Sequence, residues 1–164
     1  MSGSNLVIHE EDHTTFVDLL DELREVSNAR FIFLIDKNGQ QLASVGEVET
    51  LDPTALASLT AGNVAATEGL AEMIGEGSFT TLYHEGEKDN LHISLIAEKM
   101  ILLLIFDERS SLGLVRLRVS QHAETLATAV GEVLGRDQQE SAGVGSSQES
   151  FSEITDDDID ALFG

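Results

Sequence analysis

Two apolar stretches in the second half of the chain are separated by only two residues, and this spacing fixes how they pair. They run over Asn90–Ala97 and Met100–Asp107, with Glu98 and Lys99 between them. A connection this short joins only antiparallel strands, because parallel neighbours need a crossover of about a dozen residues or more. The sequence therefore predicts an antiparallel sheet around which the other elements are arranged.

Three further strands are predicted from composition and turn chemistry. Arg30–Asp36 is rich in aromatic and branched residues, and Lys37–Gln40 separates it from a second strand that begins at Gln41. The Asn38-Gly39 pair tolerates positive φ, which favours a hairpin at this point. A fifth strand is expected over Phe79–His84.

Three helices are predicted from the spacing of apolar residues and from end signals. The first spans Glu11–Val26, with a stripe of Phe16, Leu19, Leu20, Leu23 and Val26. The second begins after Asp52-Pro53, a helix-start signal, and ends near Ile74 and Gly75. The third begins at Ser111, and its stripe comprises Val115, Val119, His122, Leu126, Ala129, Val130 and Val133.

The resulting order, α-β-β-α-β-β-β-α, predicts an α+β fold with one antiparallel sheet of five strands. We place this domain at residues 1–134. Residues 135–150 are rich in Gly, Ser, Gln and Glu and are expected to form a flexible linker. Residues 151–164 form an acidic, amphipathic tail.

The second helix is unusual because it carries no charge between Thr54 and Thr67, in a protein with a net charge of −21. A helix with one wet side normally has a charged face. We expect the stripe of Leu56, Leu59, Ala66, Leu70 and Met73 to face the sheet. A neighbouring stripe consists of small residues, which favour close approach of another backbone: Ser58, Gly62, Ala65 and Gly69. A second subunit or a partner protein is the preferred neighbour, and burial of the helix within its own monomer is the alternative.

Composition excludes several classes of function. With 30 acidic and 9 basic residues, the protein repels nucleic-acid backbones and anionic membranes. It has no cysteine, so disulfides and thiol chemistry are excluded, and its first residues show no signal-peptide pattern. We therefore expect a cytoplasmic protein that binds neither nucleic acid nor membrane.

A search for catalytic motifs finds neither a phosphate-binding glycine loop nor a GxSxG nucleophile motif. His9 and His13 have a spacing that could bind a metal on one helix face, but two ligands near a terminus are weak evidence for a site. His92 and His122 are expected to be packed or hydrogen-bonded. The sequence predicts no enzyme activity, no metal and no cofactor.

The tail has the features of a short helix that binds a partner. Thr155 is a helix-start candidate, and Asp156, Asp157 and Asp158 would complement the helix dipole in the first turn. Ile154 and Ile159 are spaced for a hydrophobic staple. Ile159, Leu162 and Phe163 share one face. A helix this short forms only when that face is buried, on a partner or back on its own domain.

Several stretches resemble one bacterial branch of the Roadblock/dynein-light-chain family. The resemblance is carried by SLTAGNVAATEGLAEMIGE, HEGEKDNLHISLI, LIFDERSSLGLVRLRV and the terminal ITDDDIDALF, and it extends from about Leu6 to Phe163. Members of this branch activate the small Ras-like GTPase MglA, which controls cell polarity and gliding motility. The resemblance implies a Roadblock fold, cytoplasmic location and enrichment at a cell pole.

The resemblance also implies a mode of action. The family forms homodimers in which the second helices pair and the sheets join edge to edge, and the dimer docks one GTPase. It supplies no catalytic arginine, so Arg109 and Arg116 are expected to be structural or rim contacts. The tail, through Ile154, Asp157, Ile159, Leu162 and Phe163, would be a second anchor that could aid nucleotide exchange.

Two alternatives stay open from the sequence. The domain could be a scaffold that binds a GTPase without activating it. The DDIDALF segment also resembles an acidic motif that binds the receiver domain of a response regulator.

Overall fold

The computed structural model describes residues 8–47 and 50–145 of the chain. Three helices and five strands follow the predicted order. The helices are α1 (Glu10–Ser27), α2 (Pro53–Met73) and α3 (Leu112–Gly145), and the strands are β1 (Phe31–Asp36), β2 (Gln41–Gly46), β3 (Thr81–Glu85), β4 (Asn90–Ile96) and β5 (Met100–Phe106). The predicted α+β fold is therefore confirmed.

The five strands form one antiparallel sheet in the order β2-β1-β5-β4-β3. Every residue of the central strand β5 and every residue of β1 is buried. Strand β3 is only partly buried and lies at one edge of the sheet, so one side of its backbone has no strand partner within the described residues. Such an edge is available for pairing with another chain.

The helices lie on both faces of the sheet. Helices α1 and α3 share one cluster of buried residues with Ile32, Leu34, Leu102 and Leu104. The alternate residues of the same strands belong to a second cluster, in which they pack against Ala57, Ala61 and Val64 of α2. The stripes predicted for α1 and α3 contribute most of the buried side chains of those helices, although Val26 is exposed.

The connection between β4 and β5 has three residues, 97–99, rather than the two that the sequence predicted. Ala97 and Glu98, rather than Glu98 and Lys99, are the central residues of its turn, with φ values of 53° and 60°. The N–H of Lys99 donates to the carbonyl of Ile96 at 3.2 Å, and Ile96 pairs with Met100. Two consecutive positive φ values match the twist of an antiparallel hairpin, which explains why two residues without a glycine adopt them.

Helix α3 continues beyond the point where the sequence predicted a linker. Residues 135–145 are helical, so regular structure extends past the domain boundary predicted at residue 134. Arg136, within the predicted linker, forms an ion pair with the buried carboxylate of Asp12 on α1. The Gln and Glu residues that suggested a flexible linker also have high helix propensity, and a helix already anchored on α1 extends through them.

Among the described helices, none is both long enough and apolar enough to cross a membrane.

Candidate partner-binding surface on helix α2

The ends of α2 are formed as the sequence predicts. The carboxylate of Asp52 accepts a hydrogen bond from the N–H of Ala55 at 3.2 Å, and Pro53 occupies the first turn. Gly75 follows the helix with a φ of 80°, which an L-residue rarely adopts. These local signals fix where the helix begins and ends, but they do not fix its rotation about its own axis.

The face of α2 that contacts the sheet consists of small residues, and the predicted face is wrong. The buried residues are Ala57, Thr60, Ala61, Val64 and Ala71. Of the predicted stripe, only Leu56 packs against the core, where it is half-buried. Small side chains let the helix lie close to the sheet, and this close approach turns the larger residues away from the sheet.

Consequently, α2 exposes large apolar side chains. Leu59 is 74% exposed, Leu70 59% and Met73 85%. Ile74, directly after α2, and Phe79, just before β3, are exposed as well. Five of the seven large apolar side chains that are exposed in the described chain therefore lie on α2 or between α2 and β3. Single exposed apolar residues are normal, whereas a contiguous group marks an interaction surface.

The predicted stripe of small residues adjoins this group of apolar side chains on the same exposed side. Ser58, Gly62, Ala65 and Gly69 are all exposed. A Cβ atom added at Gly62 or Gly69 would meet nothing within 4 Å, so neither glycine is required by packing within the subunit. Ser58 differs, because its Cα lies 3.1 Å from the position of a Cβ on Gly39. We call the exposed residues Ser58, Leu59, Gly62, Ala65, Ala66, Gly69, Leu70 and Met73 the outer face of α2.

The charges near α2 lie at its sides. Glu68 is half-buried, and its carboxylate accepts a hydrogen bond at 3.0 Å from the ammonium group of Lys37, in the β1–β2 turn. On the other side, Nδ2 of Asn63 lies 3.1 Å from Nε2 of His84 on β3. The second contact links the helix to the sheet edge, so the outer face and the edge strand form one continuous surface.

The two arginines considered as catalytic groups do not lie on this surface. Nε of Arg109 donates hydrogen bonds to both carboxylate oxygens of Asp107, at 3.1 and 3.2 Å, and these bonds lower the pKa of Asp107. Arg116 is on α3, beside His92 and Ser94 of β4. Those side chains alternate with Ile93, which packs towards α2, so Arg116 lies on the opposite face of the sheet.

The remaining predictions concern the tail, a metal site and the histidines. The tail residues Ile154, Asp157, Ile159, Leu162 and Phe163 lie outside the described residues, so the tail contact stays a prediction. No group of three or more His, Asp or Glu residues in the described ranges could hold a metal ion. Nδ1 of His122 is 2.9 Å from the carbonyl oxygen of Arg118, so this imidazole is hydrogen-bonded as predicted.

With the fold and this surface described, the class of protein can be stated. Residues 15–106, more than half of the chain, match the family described as the Roadblock/LC7 domain. The chain therefore belongs to the Roadblock/LC7 family, and the fold expected from the sequence resemblance is confirmed. A comparison with curated proteins finds no match.

Solved structures narrow the similarity to one kind of Roadblock protein. MglB from Myxococcus xanthus is 45% identical, with a TM-score of 0.73, over 78% of this chain and 96% of that chain. The gliding protein MglB from Thermus thermophilus is 34% identical, with a TM-score of 0.71, over 78% and 97%. A third structure, described as MglB with tetrameric arrangement, is 34% identical, with a TM-score of 0.71, over 79% and 97%. The resemblance seen in the sequence is thereby confirmed.

Proposed function

We propose that this protein is a GTPase-activating protein for a small Ras-like GTPase of the MglA type, and that it acts as a homodimer controlling cell polarity and motility. The observation that carries the proposal is the exposed, uncharged outer face of α2, in a chain 45% identical to an MglB over nearly all of that protein. Within the described subunit, no packing requirement explains why large apolar residues and two glycines share this face.

The dimer is proposed to form through α2 and the edge strand β3. A glycine in a helix interior costs roughly 1 kcal/mol relative to alanine, and Gly62 and Gly69 recover this cost only if another backbone approaches closely. The unpaired edge of β3 adjoins the same surface, so pairing of two copies would extend the sheet across the dimer. One relative is described as an MglB with tetrameric arrangement, which supports self-association as a property of this kind of protein.

The two paired helices would form the platform on which one GTPase docks. Leu59, Leu70 and Met73 supply apolar contact area at its surface. The stretch between Thr54 and Thr67, which includes Leu59, carries no charge that would have to be desolvated. The platform is large only when both subunits contribute, which supports two subunits for each GTPase.

Activation is proposed to work by repositioning the switch region of the GTPase. A catalytic arginine would have to extend from the docking surface to the γ-phosphate. Arg109 is held by Asp107, and Arg116 lies on the far side of the sheet. The protein would therefore leave all catalytic groups to its partner, and it is proposed to have no catalytic activity of its own.

The tail is proposed as a second anchor on the GTPase. Ile154, Ile159, Leu162 and Phe163 would bury one apolar face there, with Asp157 in the first turn of the bound helix. Because residues 146–153 connect this segment to the domain, the second contact is intramolecular and raises avidity without enlarging the main interface. Through this contact the tail could also aid nucleotide exchange. We also propose that the protein is enriched at a cell pole.

Single-turnover GTP hydrolysis by the cognate GTPase tests the proposal. The activator is added as the wild type, as Leu70→Arg, as Ala65→Arg/Gly69→Arg, and as a chain ending at Gly145. Leu117→Arg is the matched control, since Leu117 is a similarly exposed apolar residue, at 50%, but lies on α3. We expect strong stimulation that the α2 variants abolish, the control retains and the truncation reduces.

The same protein variants, used also in binding measurements, separate the alternatives. Binding of the GTPase without stimulation would replace activation by a scaffold role. If the Leu117→Arg control lost as much stimulation of GTP hydrolysis as Leu70→Arg, docking through α2 would be overturned. Capture of a receiver domain by the wild type, but not by the chain ending at Gly145, would assign the tail to a response regulator instead.

A further inference from the structure

A cavity of about 370 Å³ lies between strands β3 and β4 and helix α3. It is on the face of the sheet opposite α2, so it is separate from the proposed docking surface. Its volume is within the range of small-molecule sites, about 300–1,000 Å³.

Two buried polar residues are among those that line the cavity. His92 is 2% exposed and Ser94 7% exposed, and both line the cavity. Among the residues that the structure describes, neither Nδ1 of His92 nor Oγ of Ser94 has a hydrogen-bond partner. Buried polar groups in proteins are nearly always hydrogen-bonded, and each exception requires an explanation. A ligand polar group is one such explanation.

The cavity is lined by a cationic side chain, in a protein that is strongly acidic overall. Arg116 is exposed there and forms no ion pair with any residue in the described ranges, whereas Arg30, Arg109 and Arg136 are each paired with a carboxylate. None of the described residues that line the cavity is acidic. In a chain with a net charge of −21, such a combination favours an anion.

The walls restrict the kind of anion. Ile96, Val119 and Ala123 provide apolar surface in the same cavity. Helix α3 begins at Leu112, so backbone N–H groups from Arg116 onwards are used within the helix and are not free to bind phosphate oxygens. A single guanidinium matches one carboxylate, which it can bind through two parallel hydrogen bonds.

We propose that this cavity binds a small organic acid, with its carboxylate on Arg116, its short apolar body against Val119 and Ala123, and a further polar atom at His92 and Ser94. Arg116 also lowers the pKa of His92, although burial of the imidazole is the larger cause. At neutral pH the imidazole is therefore uncharged and can accept or donate one hydrogen bond. It thus suits a hydroxyl or carbonyl group on the ligand.

Titration of the full-length ¹⁵N-labelled protein tests the site, at constant ionic strength, with 3-hydroxybutyrate as the probe. The readouts are the amide signals of Thr81, Ser94 and Ser120 and the ring signals of His92. We expect saturable shifts confined to these groups, and an affinity at least tenfold weaker in Arg116→Gln, which removes one charge-assisted pair. The matched control is Arg118→Gln, with the same charge change on the same helix but outside the cavity.

Four results would overturn the proposal. They are the absence of saturable shifts, equal weakening in the two arginine variants, equal binding of the uncharged analogue 1,3-butanediol, and binding of inorganic phosphate in preference to the organic acid. Ser94→Ala provides a second variant, which is expected to weaken binding at least twofold through the loss of one hydrogen bond. Unchanged affinity in Ser94→Ala would remove the Ser94 contact from the proposal.

Discussion

The backbone of Ser58 lies against Gly39, so that a Cβ atom on Gly39 would be 3.1 Å from Cα of Ser58. Gly39 is in the β1–β2 turn with a φ of 88°, and Ser58 is in the second turn of α2. This contact places the start of α2 beside the hairpin and leaves the rest of its outer face exposed.

Replacement of Gly39 by alanine is expected to destabilise the protein by about 2–3 kcal/mol, because a left-handed φ and a close backbone contact add together. Gly75→Ala is the control: it has a φ of 80° but nothing within 4 Å, so it should cost only about 1–2 kcal/mol. Urea denaturation measures both free energies of unfolding. Equal costs would show that the contact with Ser58 contributes nothing.

Alanine at Gly62 and Gly69 is expected to have opposite effects on helix stability and self-association. Each substitution favours the helix by about 0.5–1 kcal/mol, since nothing within the subunit lies near the new methyl group. The double variant should nevertheless weaken the proposed dimer at least tenfold, because two methyl groups would hold the paired helices apart.

Sedimentation velocity over a range of concentrations measures the dimer, and circular dichroism measures the helix. Gly131→Ala, at an open helical position on α3, should stabilise the helix and leave the dimer unchanged. An unchanged dimer in the double variant would contradict close packing through these glycines.

Substitution of Ala97 and Glu98 by Asn-Gly is expected to stabilise the protein. The two native residues have positive φ, at a cost of about 1–2 kcal/mol each. Greater freedom of glycine in the unfolded chain offsets roughly 0.5–1 kcal/mol of the gain. A net increase of about 1 kcal/mol in the unfolding free energy should result. Lys99→Gly should give no such increase, and a lower stability of the Asn-Gly variant would refute the assigned turn.

Arg136→Gln is expected to destabilise the protein by about 1–2 kcal/mol, because it leaves the buried carboxylate of Asp12 without its cation. This destabilisation is smaller than the loss of a fully buried ion pair would cause, since the Arg136 side chain is 46% exposed. Arg24→Gln removes an exposed pair with Asp21 and should cost less than about 0.5 kcal/mol. Equal effects in thermal unfolding would indicate that residue 136 does not anchor α3.

Stability is expected to fall between about pH 7 and pH 5 because of His92. Burial lowers the folded-state pKa of His92 below its ordinary value of 6.5, so in this range the unfolded state binds more protons. Folding therefore favours the neutral imidazole of His92. Its contribution to the free energy of unfolding is complete above the pKa of the unfolded state and is lost as the pH falls.

Urea denaturation at several pH values should show a smaller slope of stability against pH in His92→Gln. The exposed His13 on α1, replaced in the same way, is the control for the loss of an imidazole. A His92 variant with the wild-type slope would assign the pH dependence to other groups.

The sequence by itself determined the order of the elements, the antiparallel pairing and both ends of α2. These features depend on local information: the period of apolar residues, the chemistry of a short turn, and the capping of a helix by Asp52 and Pro53. It also predicts a neighbour for α2, because a helix with one wet side normally carries a charged face.

Only the tertiary structure decided which side of α2 contacts the sheet and how far α3 extends. The apolar residues of α2 surround the helix, so periodicity could not distinguish Leu59 and Leu70 from Ala57 and Ala61. The distinction depends on how closely the helix approaches strands that are distant in sequence. Likewise, the ion pair between Arg136 and Asp12, and the juxtaposition of His92 with Arg116, join residues that only the folded chain brings together.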